Sequence, residues 1–173
     1  MIYCGIDAST SCTGWSIFDD GSLIAHGAIH PKESAEWRDR VMQECMELSR
    51  IFKEYRPQIL YAEDVPNKPG QLTMQKLGVM QGVLLSLCAA YHIKPYFLLP
   101  ANWRRDMKLF DGTRDGMHRD ILKEKAILMA NDIFGLSLLW NGAKSKKTED
   151  DEAEAILIAY SQIRKITQKE CDG

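Results

Sequence analysis

IYCGIDASTSCTGWSIFDDGSLIAHGAI, residues 2–29, is the stretch that decides the fold. It contains three apolar segments of strand length, at residues 2–7, 13–18 and 22–29. The Asp-Asp-Gly sequence at 19–21 separates the last two segments and favours a tight hairpin turn. The stretch therefore predicts three antiparallel strands, and the first of them ends in a carboxylate, Asp7.

The rest of the chain alternates between helical and strand-like patterns. Apolar residues recur at three- and four-residue steps in four segments, at 35–55, 71–92, 118–134 and about 149–168. A weaker pattern predicts a short helix at 101–109, and short apolar runs predict strands at 58–63 and 95–99. The apolar side of the helix at 71–92 is predicted to comprise Leu72, Leu77, Val79, Val83, Leu84 and Leu87. This order predicts an α/β fold of the ribonuclease H type, with a mixed five-stranded sheet, antiparallel among its first three strands, and helices on both faces.

Length and composition limit what the chain can be. The 173 residues fit one domain, 1–173. The formal net charge of −2 is not the basic footprint of a typical nucleic-acid binder, although the lysines and arginines are clustered in the second half. Five cysteines without zinc spacing indicate reduced thiols, and we see no apolar run of about 20 residues, so we expect a cytoplasmic protein that makes no membrane contact.

Four carboxylates stand at element ends. Asp7 and Glu63 end predicted strands, and Asp151 and Glu154 share one face at the start of the last helix. Such ends can converge at one edge of a sheet, where the carboxylates would repel one another unless cations held them. Hard oxygen ligands without His or Cys favour Mg²⁺ or Mn²⁺ over zinc. The simpler alternative is that acidic residues at a helix start only complement the helix dipole.

Three motifs together resemble one family. GIDAST at the start is followed by Gly14, KLG at 76–78 is followed by Gly82 and Val83, and DEAEAILIAY at 151–160 resembles a D-x-x-D-A helix. In this combination the chain resembles the RuvC-type Holliday junction resolvases of the RNase H-like superfamily. PANWRR at 100–105 is similar to a stretch common in phage-borne members, which act in the cytoplasm of a bacterial host.

The resemblance implies an activity and a site. It implies that Asp7, Glu63, Asp151 and Glu154 are the catalytic metal ligands, holding two Mg²⁺ ions for which Mn²⁺ can substitute. It further implies a homodimer that binds four-way or branched DNA and nicks two strands symmetrically, as a magnesium-dependent endodeoxyribonuclease. Basic residues on the helix before the last one would face the scissile phosphate.

Nine basic residues are the candidates for contact with DNA. They are Lys76, Arg104, Arg105, Arg119, Lys123, Lys125, Lys144, Lys146 and Lys147. They are expected to contact phosphates rather than bases. The alternative for the lysines at 144–147 is a solvated surface without DNA contact. Trp103, beside Arg104, is a candidate for stacking on a base, and the alternative is that it packs in the core.

Two departures from the family pattern keep other functions open. Glu154 replaces an aspartate, and Pro66 stands where cellular members have an aromatic that meets junction bases, so loop 64–70 is expected to act differently. A related metal-dependent nuclease with broader branched DNA or RNA substrates fits the same residues, as does a non-catalytic junction-binding protein. A sugar-kinase or actin-like ATPase would need a second domain and a Gly-rich adenosine motif, and the chain supplies neither.

Overall fold

The computed structural model describes residues 1–65, 70–110, 113, 116, 118–142, 145 and 147–171, without the side chains of 169–171. The strands are β1 (Ile2–Asp7), β2 (Thr13–Asp19), β3 (Ser22–Ile29), β4 (Ile59–Glu63) and β5 (Lys94–Leu98). The helices are α1 (Trp37–Tyr55), α2 (Gln71–Tyr91), α3 (Pro100–Asp106), α4 (Arg119–Phe134) and α5 (Asp150–Cys171). Pro66, Arg114, Lys144 and Lys146 lie outside the described residues.

The five strands form one mixed sheet in the order β3-β2-β1-β4-β5. Strands β1, β2 and β3 are antiparallel neighbours, and the Asp-Gly pair at 20–21 makes the hairpin turn with positive φ angles of 43° and 97°. β4 runs parallel to β1, and β5 runs parallel to β4. The α/β fold and the antiparallel start predicted from residues 2–29 are confirmed.

Helices cover both faces of the sheet, as predicted. Because side chains alternate along a strand, Cys4 and Ile6 of β1 pack against α1 and α2, whereas Tyr3 packs against α3, α4 and α5. Each face of the sheet has its own buried apolar cluster. Alternate residues of one strand therefore contact the same layer of helices. Every side chain at the sheet edge therefore has a predictable side.

Helix α5 lies against the sheet at unusually short range. A Cβ added to Gly5 would lie 2.1 Å from the carbonyl oxygen of Ala155, and one added to Gly14 would lie 1.9 Å from that of Asp151. Ser16 between them donates a hydrogen bond to the Ala155 carbonyl oxygen at 3.0 Å. Glycine at these two positions lets the first turns of α5 approach the sheet edge where β1 ends.

The apolar side predicted for α2 is partly wrong. Leu84 and Leu87 are buried, but Leu72 is 57% exposed and Val79 is 39% exposed. Met80 and Cys88 are buried in their place. The helix is apolar nearly all round, so its periodicity could not identify the face that meets the core. α2 also has the length and composition of a membrane-spanning helix, contrary to the sequence expectation, although a single such helix is weak support for a span.

Candidate metal centre

Asp7 and Glu63 project from neighbouring parallel strands toward α5. β1 and β4 are paired in register through Ile6 and Ala62, and the two carboxylates follow one position later. Both residues have the parity of the strand positions that face α5. Asp64, one residue later, lies on the other face, where it accepts a hydrogen bond from Gln81 of α2 at 2.7 Å.

Helix α5 contributes two further carboxylates. Asp151 and Glu154 lie one turn apart in its first two turns, and Glu154 is only 3% exposed. One ligand oxygen each from Asp7, Asp151 and Glu154 lie within 4.8 Å of one another. The structure thus brings together three of the four predicted ligands, and the charge of Glu154 acts on the fourth, Glu63.

The electrostatics of this cluster are unfavourable without cations. Burial, followed by the negative charges of Glu154, Glu63 and Asp151, raises the pKa of Asp7 well above its usual value. Burial and then Glu154 raise the pKa of Glu63, whereas Arg104 and a hydrogen bond from Trp103 lower it. These four carboxylates therefore need compensating positive charge to be ionised together.

Two basic side chains supply part of that charge. The Arg104 guanidinium donates through Nη2 to Glu154 Oε1 at 2.7 Å and lies 3.5 Å from Glu63 Oε1. Lys123 of α4 pairs with Asp150, and its Nζ lies 3.5 Å from Asp151 Oδ1. Both were predicted to lie on a DNA-binding surface, but they are only 18% and 13% exposed and contact the carboxylates directly.

The helix-dipole account of the acidic run at the start of α5 is incomplete, because the members of the run have individual partners. Asp150 pairs with Lys123, and Glu152 pairs with the Nδ1 atom of His26 on β3. Trp103 is fully buried and donates through Nε1 to Glu63 Oε1 at 3.0 Å. Its role is packing and orientation of the Glu63 carboxylate, so stacking on a base is excluded.

The other candidate DNA contacts surround the centre at different distances. Arg119 at the start of α4 is exposed, and its positive charge still lowers the pKa of Glu63. Arg105 is exposed and, among the described residues, its side chain donates to Asn102, while Lys76 is half-buried on α2. Lys125 is rotated by roughly 200° around α4 from Lys123. It lines a surface groove with Lys108 and Leu128 instead of the carboxylate edge.

Lys147 borders a separate open cavity beside Asp151. The cavity, of about 460 Å³, is also lined by Cys12, His30 and Thr148. Burial, and then the negative charge of Asp151, raise the pKa of the Cys12 thiol. Both effects favour the protonated thiol over the reactive thiolate.

Glu44 is a buried carboxylate that the sequence reasoning missed. It lies on the core-facing side of α1, is 0% exposed and accepts a hydrogen bond from Thr13 Oγ1 at 2.7 Å, while its Oε1 atom has no hydrogen-bond partner in the part of the chain that the structure describes. Burial raises the pKa of Glu44 to about 7. A charged residue midway between Val41 and Leu48 on an apolar stripe was the signal that could have revealed it.

The donor set of the cluster fits a hard divalent cation. Its oxygens are all carboxylate oxygens, they lie within reach of one ion, and no imidazole or thiolate among the described residues joins them as zinc would favour. Burial and neighbouring carboxylates raise the pKa values of Asp7 and Glu63, and the charge of a bound cation would offset both effects. The geometry thus supports a metal centre at this edge of the sheet.

Comparison with known proteins links the chain to one group of enzymes, although no protein-family model matches it. The crossover junction endodeoxyribonuclease RuvC of Nitratidesulfovibrio vulgaris is 27% identical over 168 residues, which cover 95% of this chain and 92% of the relative. RuvC of Rickettsia akari is 27% identical over 165 residues, which cover 93% of this chain and 96% of the relative.

Comparison with solved structures also identifies RuvC as similar, here in fold. Thermus thermophilus RuvC in complex with a Holliday junction superposes with a TM-score of 0.72 at 16% sequence identity, covering 96% of both chains. The chain is therefore similar to RuvC-type endodeoxyribonucleases over nearly its whole length, and its fold is the RNase H-like fold of RuvC.

Proposed function

We propose that this protein is a structure-selective endonuclease that resolves Holliday junctions and related branched DNA by paired nicks. The observation that carries the proposal is the convergence of Asp7, Asp151 and Glu154 within 4.8 Å, beside Glu63, in a fold shared with RuvC. A binding protein without catalysis would have no need of four carboxylates, three of them partly buried and Glu154 fully so, at one sheet edge where their mutual repulsion costs stability.

The four carboxylates would hold two Mg²⁺ ions, or Mn²⁺ in their place. When bound, the ions would activate a water for attack on the scissile phosphate and stabilise the leaving 3′ oxygen. Asp7 would be a ligand together with Asp151 and Glu154, whose oxygens lie within reach of it, and Glu63 would complete the set. The protein's own contribution is to fix these oxygens on rigid strands and on the first turns of α5.

Exposed basic residues around the centre would bind the phosphates of the branched DNA. Arg119 is exposed and its charge reaches Glu63, Arg105 is exposed on α3, and Lys147 lines a cavity together with Asp151. Lys125 is the weakest of the predicted contacts because it lies on the far side of α4. Lys144 and Lys146 remain sequence predictions, and they fall in the same segment as Lys147.

A second copy of the chain would supply the second active site that paired nicks require. α2 exposes Leu72, Met74, Val79 and Leu85, which are 57%, 55%, 39% and 48% exposed. Gly78 and Gly82 lie on the same face, and a Cβ on either would meet no described residue within 4 Å, so neither glycine is needed for a close approach within the described part of one copy. We infer that α2 is the homodimer interface, and that this contact, rather than a membrane, accounts for its exposed apolar surface. The dimer would act in the cytoplasm.

The decisive experiment compares a labelled immobile four-way junction with a linear duplex of the same sequence, each in Mg²⁺ and in EDTA. We expect paired nicks confined to the junction in Mg²⁺ and no cleavage in EDTA. Asp7→Asn should abolish cleavage while it keeps junction binding. Equal cutting of the linear duplex would indicate a general nuclease, binding without cutting would indicate a structural protein, and full activity of Asp7→Asn would refute the site.

A further inference from the structure

Arg104 lies where its charge conflicts with a metal ion. Its Nη2 atom donates to Glu154 Oε1 at 2.7 Å and lies 3.5 Å from Glu63 Oε1. Glu63 Oε1 also accepts from Trp103 Nε1 at 3.0 Å. A divalent ion bound to these same carboxylates would lie a few ångströms from the guanidinium, and two cations at that distance repel each other strongly in a partly buried site.

Arg104 is not held in place as a purely structural arginine would be. Among the described contacts its guanidinium is held by carboxylates at one end only, and its buried Nε atom has no hydrogen-bond partner. The Arg104 side chain is 18% exposed, so part of it reaches the solvent. It also lies over the Trp103 ring, with 4.9 Å between Cζ and the ring centroid. The Nε atom, unpartnered among the described residues, and the partial exposure of the side chain leave Arg104 able to turn outward.

We propose that Arg104 is a displaceable cation, which pairs with Glu63 and Glu154 while the centre is metal-free and moves to a DNA phosphate when divalent ions take these carboxylates. The inference rests on the proposed nuclease function and extends it to the order of binding. The planar guanidinium suits both partners because it makes paired hydrogen bonds with carboxylates and with phosphates alike. The Arg104 charge thus pairs first with the carboxylates and then with a DNA phosphate.

The proposal predicts that Arg104 contributes to DNA binding only when metal is present. Junction affinity of wild type and Arg104→Gln is measured at low salt in EDTA and in Ca²⁺, with electrophoresis to verify that the junction stays intact. We expect the variant to bind roughly five- to tenfold more weakly in Ca²⁺, with its salt slope lower by about one, and to bind like wild type in EDTA. Arg105→Gln is the matched control on the same helix, because Arg105 is exposed and touches no carboxylate of the centre. Its effect should be equal in both conditions.

Either alternative pattern would overturn the proposal. An equal loss of affinity in EDTA and Ca²⁺ would make Arg104 a permanent phosphate contact, and no loss in either would make it a fixed structural ion pair. Mn²⁺ binding without DNA, followed by electron paramagnetic resonance, gives a second readout. Arg104→Gln should bind Mn²⁺ more tightly than wild type, and Arg104→Lys, which keeps the charge, should lie nearer wild type.

The Mn²⁺ readout also separates this proposal from the proposed function. A loss of Mn²⁺ binding in a folded Arg104→Gln variant, as judged by circular dichroism, would show that Arg104 only holds the carboxylates in place and would refute displacement. If wild type neither binds nor cuts junctions, the proposed function fails, while tighter Mn²⁺ binding by Arg104→Gln would still support a cation that competes with metal.

Discussion

Glu44 shows how one buried residue sets a dependence on pH. Its carboxyl group has an ordinary pKa of 4.5 and a folded-state pKa of about 7, because burial disfavours the charged form. Between these two pH values the unfolded chain ionises at Glu44 while the folded chain does not. Folding stability contributed at this position is therefore intact below pH 4.5 and is lost as the pH rises toward 7.

Replacement of Glu44 by glutamine should remove this loss. We expect the stability of Glu44→Gln relative to wild type to increase by roughly 3 kcal/mol between pH 4.5 and 7. Chemical denaturation across that range measures the difference, and Glu47→Gln serves as a control because Glu47 pairs only with Arg50 at the surface of the same helix. Parallel stability curves for wild type and Glu44→Gln would show that Glu44 is ionised when folded, with Arg40 as its counter-ion.

The individual residues of the centre were predictable to different degrees. Asp7 and Glu63 could be placed from the sequence because each ends a strand and strand alternation fixes the side on which it lies. The position of Arg104 could not be derived in this way. It depends on where α3 docks after β5, and the same PANWRR sequence would serve equally well on a solvated surface. The partners of Glu152 and Lys123 likewise depend on contacts between distant elements.

At the scale of elements, the approach of α5 to the sheet positions Asp151. A Cβ at Gly14 would lie 1.9 Å from the Asp151 carbonyl oxygen and 2.8 Å from the Glu152 amide nitrogen, both of them backbone atoms. Gly14→Ala must therefore shift the start of α5 away from β2. We expect a loss of several kcal/mol of stability, as for other overpacked sites, together with weaker Mg²⁺ binding.

Gly70→Ala is the comparison for this effect. Gly70 is the N-cap of α2, has a negative φ of −61° and has open space where a Cβ would lie. Its substitution should change stability by no more than roughly 1 kcal/mol and leave Mg²⁺ binding unchanged. Thermal denaturation and Mg²⁺ titration of both variants test the contrast. Equal stability of Gly14→Ala and Gly70→Ala would mean that α5 can move without cost.

The first and last residues of a helix were predicted well where a capping residue or a proline marks its end. They were predicted less well where packing against the core sets the end. The helix predicted at 35–55 begins at Trp37, because Glu36 is its N-cap and accepts a hydrogen bond from the Arg38 amide. It ends at Tyr55, one residue before Arg56, whose φ of 50° closes the helix ahead of Pro57. The short helix predicted at 101–109 ends at Asp106. No residue between 106 and 109 marks that end in the sequence, and the chain turns there to bury Met107 and Leu109.

At the scale of the whole molecule, the carboxylate centre links metal binding to stability. Ions that bind only the folded state stabilise it by mass action, by about 2.7 kcal/mol at a hundredfold excess over Kd. For a chain of this size that corresponds to a rise in Tm of roughly 5–10 °C. Wild type should therefore melt higher in Mg²⁺ than in EDTA.

Asp7→Asn should reduce the difference between the melting temperatures in Mg²⁺ and in EDTA. The substitution removes a carboxylate whose ionised form is disfavoured by burial and by three neighbouring negative charges. In EDTA the variant should melt above wild type, and in Mg²⁺ it should gain less. Differential scanning calorimetry in both buffers measures the four values. A variant that melts below wild type in EDTA would show that Asp7 stabilises the metal-free fold, contrary to the repulsion inferred for the centre.

The exposed face of α2 connects oligomeric state with the outcome of cleavage. Val79 and Leu85 flank the Gly78–Gly82 pair on that face, so the double change Val79→Glu and Leu85→Glu places charge at the centre of the inferred interface. We expect the double variant to sediment as a monomer at micromolar concentration, where wild type sediments as a dimer, because buried unpaired charges strongly oppose association. With one centre per molecule, it should nick single strands of the junction instead of releasing paired products.

Leu128→Glu on α4, at a residue 60% exposed and away from α2, should leave the dimer and the paired nicks intact. Paired nicks by a variant that sediments as a monomer would show that the two cuts do not require this interface, and a wild type that is already monomeric would assign the apolar face of α2 to another partner.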